Sequence, residues 1–178
     1  GNPIGDQLAL ISPDTGAVTA QFEVNQGGTP LTNALAMGYA DLVFDGNELL
    51  YAIYDISGAL TLGTINTSDG SFTAVAALDA AIEAAGVRSL AFAPFGSNNT
   101  AGAQQAMFVV GDDNVLYEVS ATGADAGQVV GGGGDAINGA DVDSIAFNLF
   151  GTQIIAHDPT NARIVDLDAS MIGSGTID

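Results

Sequence analysis

The side chains able to do chemistry in this chain are few and nearly all of one sign. One histidine, His157, precedes Asp158; two arginines, Arg88 and Arg163, are the only strong bases; lysine and cysteine are absent; and 21 residues are aspartate or glutamate. A histidine beside a carboxylate has the parts of a general base or of half a metal site. No second histidine or cysteine accompanies it, so the plainer expectation for His157 is a partly exposed residue at a strand end. Serines and threonines are plentiful, but no Gly-x-Ser-x-Gly elbow is present, and any triad would have to share the single imidazole. Gly131 to Gly134 form a run that no Gly-Lys-Ser/Thr follows, so it is a loop and not a phosphate cradle. These absences point away from catalysis.

The acids remain. Carboxylates from turns, joined by turn carbonyls, suit a hard cation, and calcium is the ion expected. The candidate ligands are Asp112, Asp113, Asp135, Asp141 and Asp143. The nearest approach to a calcium loop, Asp135 to Asp143, lacks both the Asp-x-Asp-x-Asp-Gly spacing and the terminal Glu. A formal charge of −19 repels phosphate backbones and anionic lipid, which argues against nucleic-acid binding and membrane docking. It equally describes a surface that only keeps an extracellular or high-salt protein in solution. Aromatics give little footing for a carbohydrate platform, since only Tyr39 and Phe95 fall in connecting segments.

The elements that must position these acids follow from an internal repeat. Short apolar strands open three units at Asp41–Phe44, Ser89–Phe92 and Ser144–Phe147. Second strands follow at 49–54, 106–110 and 153–156. Third strands end in turn signatures anchored at 11, 65, 119 and 167, spaced 54, 54 and 48 residues. Asp14-Thr15-Gly16, Ser68-Asp69-Gly70 and Ala121-Thr122-Gly123 are hairpin signals, and fourth strands run from Ala17 to Phe22 and from Ser71 to Val75. The expected fold is all-β: four-stranded antiparallel units of roughly fifty residues, the size of a propeller blade. One short helix, Asp79 to Gly86, is expected between units, capped by Asp79 and stopped by Gly86.

Leu90-Ala91-Phe92, Leu50-Tyr51-Ala52 and Leu116-Tyr117-Glu118-Val119 with Thr122-Gly123 resemble the blade pattern of secreted bacterial β-propeller repeat proteins. That resemblance implies a fold and hardly any function. It divides the single repeat domain into a half blade at 1–25 and blades at 41–76, 89–130 and 144–178, the last with its own fourth strand over Met171 to Ile177. Acids then fall on both rims: Asp55, Asp158, Asp79 and Glu83 join the candidate ligands on one, while Asp14, Asp45, Glu48, Asp69, Asp125 and Asp168 lie on the other.

About three and a half blades is below a closed ring, so the chain, which begins at Gly1, is expected to be part of a larger chain or assembly. Open strand edges predict self-association or partner subunits. No apolar run is long enough for a membrane span. The function expected is a non-catalytic structural or adhesive module, secreted or on a cell surface, in a larger surface protein, filament or layer. The alternative is a ligand-binding or enzymatic propeller whose axial site needs further blades.

Overall fold

The computed structural model describes residues 5–40, 49–93, 106–148 and 150–178. The chain is all-β, in separate antiparallel sheets that follow one another along the sequence. β1 (Gln7–Ile11) and β2 (Val18–Glu23) form a two-stranded hairpin. A second, minimal hairpin of β3 (Asn25–Gln26) and β4 (Thr29–Pro30) leads into the first full sheet.

That sheet is a meander of β5 (Ala34–Ala40), β6 (Leu49–Ile56), β7 (Ala59–Ile65) and β8 (Phe72–Ala77), in that order. Ser57 and Gly58 join β6 to β7 with φ of 58° and 87°. Two successive positive φ angles match the right-handed twist of the flanking strands, and the Asp55 carboxylate accepts the Gly58 N–H at 2.7 Å to hold the turn. Tyr51 to Tyr54 at the centre of β6 are buried on both faces, as an unbroken apolar run requires. The strand expected at Asp41–Phe44 lies outside the described residues; on the side of β6 away from β7 the partner is Ala34–Ala40, with Ala40 opposite Leu49.

Helix α1 (Ala80–Ala85) follows, with the Asp79 carboxylate accepting the Ala81 N–H and Gly86 ending it at φ 84°. It buries Ile82 completely and brings the Glu83 carboxylate to the Leu60 N–H at 2.9 Å. The second sheet contains β9 (Ser89–Phe92), β10 (Met107–Val110), β11 (Val115–Val119) and β12 (Asp135–Ile137). The glycine run before β12 forms a short 3-10 turn at Val130–Gly132. Among the described residues the third sheet has β13 (Ser144–Phe147), β14 (Gln153–Asp158) and β15 (Arg163–Asp168).

The expected fourth strand of that last unit is not there. Ala169–Met171 form a 3-10 turn, and β16 (Thr176–Ile177) pairs parallel with β12, as the fifth strand of the preceding sheet. The physical cause is a long-range contact. Both oxygens of the Asp135 carboxylate accept backbone N–H groups, from Gly173 at 2.8 Å and Gly175 at 2.7 Å, which pulls the segment across to β12.

Three apolar clusters lie between successive units. Val24, Tyr54, Ile65 and Phe72 join the first hairpin to the first sheet. Ile53, Leu62, Ile82, Met107 and Val109 join the first sheet to the second. Phe108, Leu116, Ile145, Ile154 and Ile177 join the second to the third. The second sheet therefore buries both faces. The opening strands lie side by side, β9 against β5 and against β13. A side chain at Gly38 of β5 would collide with that of Leu90, and Ser89 Oγ accepts the Ile145 N–H at 3.2 Å.

Candidate functional site

Two of the predicted acids, Asp112 and Asp141, meet where the second and third sheets join, and Asn114 builds that junction. It sits in the β10–β11 turn with φ 61°, a conformation that asparagine tolerates better than most residues. Its amide donates to the carbonyls of Ile137 and Ala140, both at 2.8 Å, and its carbonyl accepts the Val142 N–H at 2.8 Å. These bonds fix the 137–142 connection and so place Asp141.

Arg88, just before β9, then bridges two candidate ligands. Nε meets Asp112 at 3.0 Å and Nη1 meets Asp141 at 2.6 Å, while the Val142 and Asp112 carbonyls take further N–H groups. The bond from Arg88, helped by the Thr160 hydroxyl at 2.9 Å, holds the Asp141 carboxyl below its usual range. A guanidinium fork between two carboxylates is a positioning device with strong, directional bonds.

The other acids go elsewhere. Asp143 meets His157 Nδ1 at 2.8 Å, and its N–H donates to the His157 carbonyl at 3.2 Å. The imidazole is thus held against the third sheet by a partner fourteen residues away. Asp158, fully buried, accepts the Asn161 amide at 2.8 Å and Arg163 Nε at 2.9 Å. Those bonds, Asn161 first, bring its carboxyl down to about 2 against the opposing effect of burial. Asp113 accepts the Tyr117 hydroxyl at 2.7 Å; burial, and then Asp113, push that phenol up to about 12.

Of the five predicted ligands, Asp112 and Asp141 come together, on Arg88; Asp113, Asp135 and Asp143 each serve a different partner. Among the described residues, no three of His, Asp and Glu converge as a metal would require. What the arrangement does chemically is tie turns to connections with charge-assisted bonds, using both arginines of the chain.

One polar residue fits no such role. Glu118 of β11 is 9% exposed and pairs across the sheet with Phe108. Alternation along the strand marks Glu118 as sharing a face with Leu116, which hints at burial, but strand spacing alone cannot show what covers it. Burial, and then the nearby Asp135 charge, raise its carboxyl above the usual range.

Among the described residues no helix is long and apolar enough to cross a membrane. No protein-family model matches this chain, and comparison with curated proteins finds no match either.

Proposed function

We propose that this chain is a non-catalytic structural or adhesive module of an extracellular assembly, built from β-propeller-like blades and joined to further copies or subunits through sheet edges. The observation that carries the reading is the outer edge of the third sheet. Among the described residues β15 has no strand beyond it, and Ile164 on that strand is 67% exposed. An unpaired row of backbone N–H and C=O groups with an exposed apolar side chain is a template for strand addition. The side-by-side opening strands and the apolar clusters between sheets support the blade description, because each interior sheet there needs a neighbour on both faces. The lack of lysine and the spending of both arginines on internal acids leave an acidic exterior, suited to an extracellular setting.

Sedimentation of the purified chain over a wide concentration range, with and without calcium, tests this. Reversible association that weakens when β15 is blocked by Ile164→Pro is the expected result; alternation along the strand aims the Ile164 N–H away from β14, and a proline there removes that outward donor. A strict monomer at high concentration in both conditions would defeat the reading. Negative-stain images then distinguish a fibre or lattice from isolated particles.

A further inference from the structure

A second acidic feature lies apart from the arginine junction, and it has the form of a pocket. Beside β11 and β12 is a cavity of about 360 Å³, lined by Glu118 and Asp135, by backbone at Gly131, Gly133 and Gly173, and by the apolar side chains of Val130 and Ile172. Asp135 is 7% exposed and Glu118 9%. Asp135 has its two backbone donors, described above, whereas the Glu118 carboxylate has no hydrogen-bond partner among the described residues. The Glu118 oxygens keep some access to solvent, but a largely desolvated carboxylate with no donor is still costly, and a second carboxylate lines the same cavity. A cation would relieve both costs together.

The chain itself has none to offer. It contains no lysine, and Arg88 and Arg163 are bound to Asp112, Asp141 and Asp158. The occupant therefore comes from outside. A hard metal ion wants six or more oxygens, but only two carboxylates line this pocket, and one already accepts two N–H groups. The volume is about that of a dozen waters, within the range of small-molecule sites and large for a bare ion. Acid at one part and aliphatic wall at another match a charged head on a methylene stem. An ammonium group also carries three donors to share among separate acceptors.

We propose that the Glu118–Asp135 pocket binds an alkylammonium group, either a free primary amine or the side chain of a lysine on a partner. This goes beyond the structural reading above and does not depend on it, since a monomer could hold the site as well as a fibre. The raised Glu118 carboxyl supplies a signature: occupancy draws it downward, and affinity grows as pH rises through its titration.

The test is an NMR titration of the full chain with n-butylammonium, following backbone amides at Gly173 and Gly175 and the Glu118 carboxyl carbon. Saturable shifts at these positions are expected, with affinity weakened about tenfold or more in Glu118→Gln. Asp14→Asn, which removes the same single charge from an exposed turn, leaves affinity unchanged and so separates the pocket from general attraction to an acidic surface. Glu118→Gln keeps the shape and removes a buried charge, so it is expected to fold, and its thermal melt checks this. Nα-acetyl-lysine methylamide binding as tightly as butylammonium identifies a lysine side chain as the source; binding of butylammonium alone identifies a free amine. Equal affinity in Glu118→Gln and the parent, no saturation, or tighter binding of calcium chloride at the same resonances would each overturn the proposal.

Discussion

The first and third sheets start from similar sequence and end in different states. Both open with a strand that pairs antiparallel with an apolar second strand. In the first sheet, Ala52, Ile53, Tyr54 and Leu62 are at 0% exposure, because a fourth strand closes the edge and neighbouring units cover both faces. In the third sheet Ile154 is buried as deeply, but Ile155 is 46% exposed and Ile164 67%. One face of β14 packs on the second sheet, and among the described residues the other has no cover. The lesson is that burial here belongs to the neighbours and not to the strand. A unit of this kind is finished only when something lies against each of its sides.

The comparison can be broken most severely inside the first sheet. Ile53→Ala should cost about 2–5 kcal/mol by urea denaturation, as large-to-small changes in filled cores do. Gly70→Ala comes next. Gly70 has φ +76°, and a Cβ there would lie 2.5 Å from the Glu23 carbonyl oxygen. Strain and collision with backbone together should exceed about 1 kcal/mol, and the seam between the first hairpin and the first sheet should loosen before the rest in hydrogen exchange.

The acid limb of stability tests the third sheet. Asp158 titrates at about 2 in the folded chain, below the ordinary carboxylate range. Its contribution is therefore whole above that range and is lost as pH falls towards 2. Melting temperatures measured down through this window should drop, and Asp158→Asn should flatten that part of the profile. A profile unchanged by the substitution would mean that the buried Asn161–Asp158–Arg163 contacts do not support the sheet. The smallest effect is expected at Ile164→Ala: within about 0.5 kcal/mol in folding stability, as for exposed positions generally, yet with weaker self-association in sedimentation if β15 is an assembly edge.

What the amino-acid order revealed was local, and what it concealed was distant. Ser89–Phe92 and Ser144–Phe147 are strands at the bounds read from their apolar runs, and Asp79 caps its helix as its position implied. Strand periodicity and turn chemistry act over a few residues, so a single chain displays them. The destination of the last strand was hidden, because two residues carry too little pattern and the deciding contact is a carboxylate 38 and 40 residues earlier. The same holds for the candidate ligands. Turn acids are easy to find, but that Asp112 and Asp141 would converge on Arg88, 24 and 53 residues from it, follows only from the stacking of sheets. Glu118 was overlooked for the same reason: alternation puts it on the Leu116 face, but the glycine-rich segment and Ile172 that line its pocket come from other parts of the chain.

The parallel pairing of β16 with β12 has a mechanical consequence. Ala136 N–H donates to Gly175 O at 3.0 Å, Asn138 N–H to Ile177 O at 2.8 Å, and the Asn138 amide to the Asp178 carboxylate at 3.0 Å. The chain leaves the second sheet, makes the whole third sheet and returns to the strand it left, so that the third sheet is a clasped loop. Tension applied at Asp178 would load those few bonds in shear, against the body of the second sheet, before reaching β15. The least covered unit is thereby shielded from peeling, and the two sheets should give way together and not in turn.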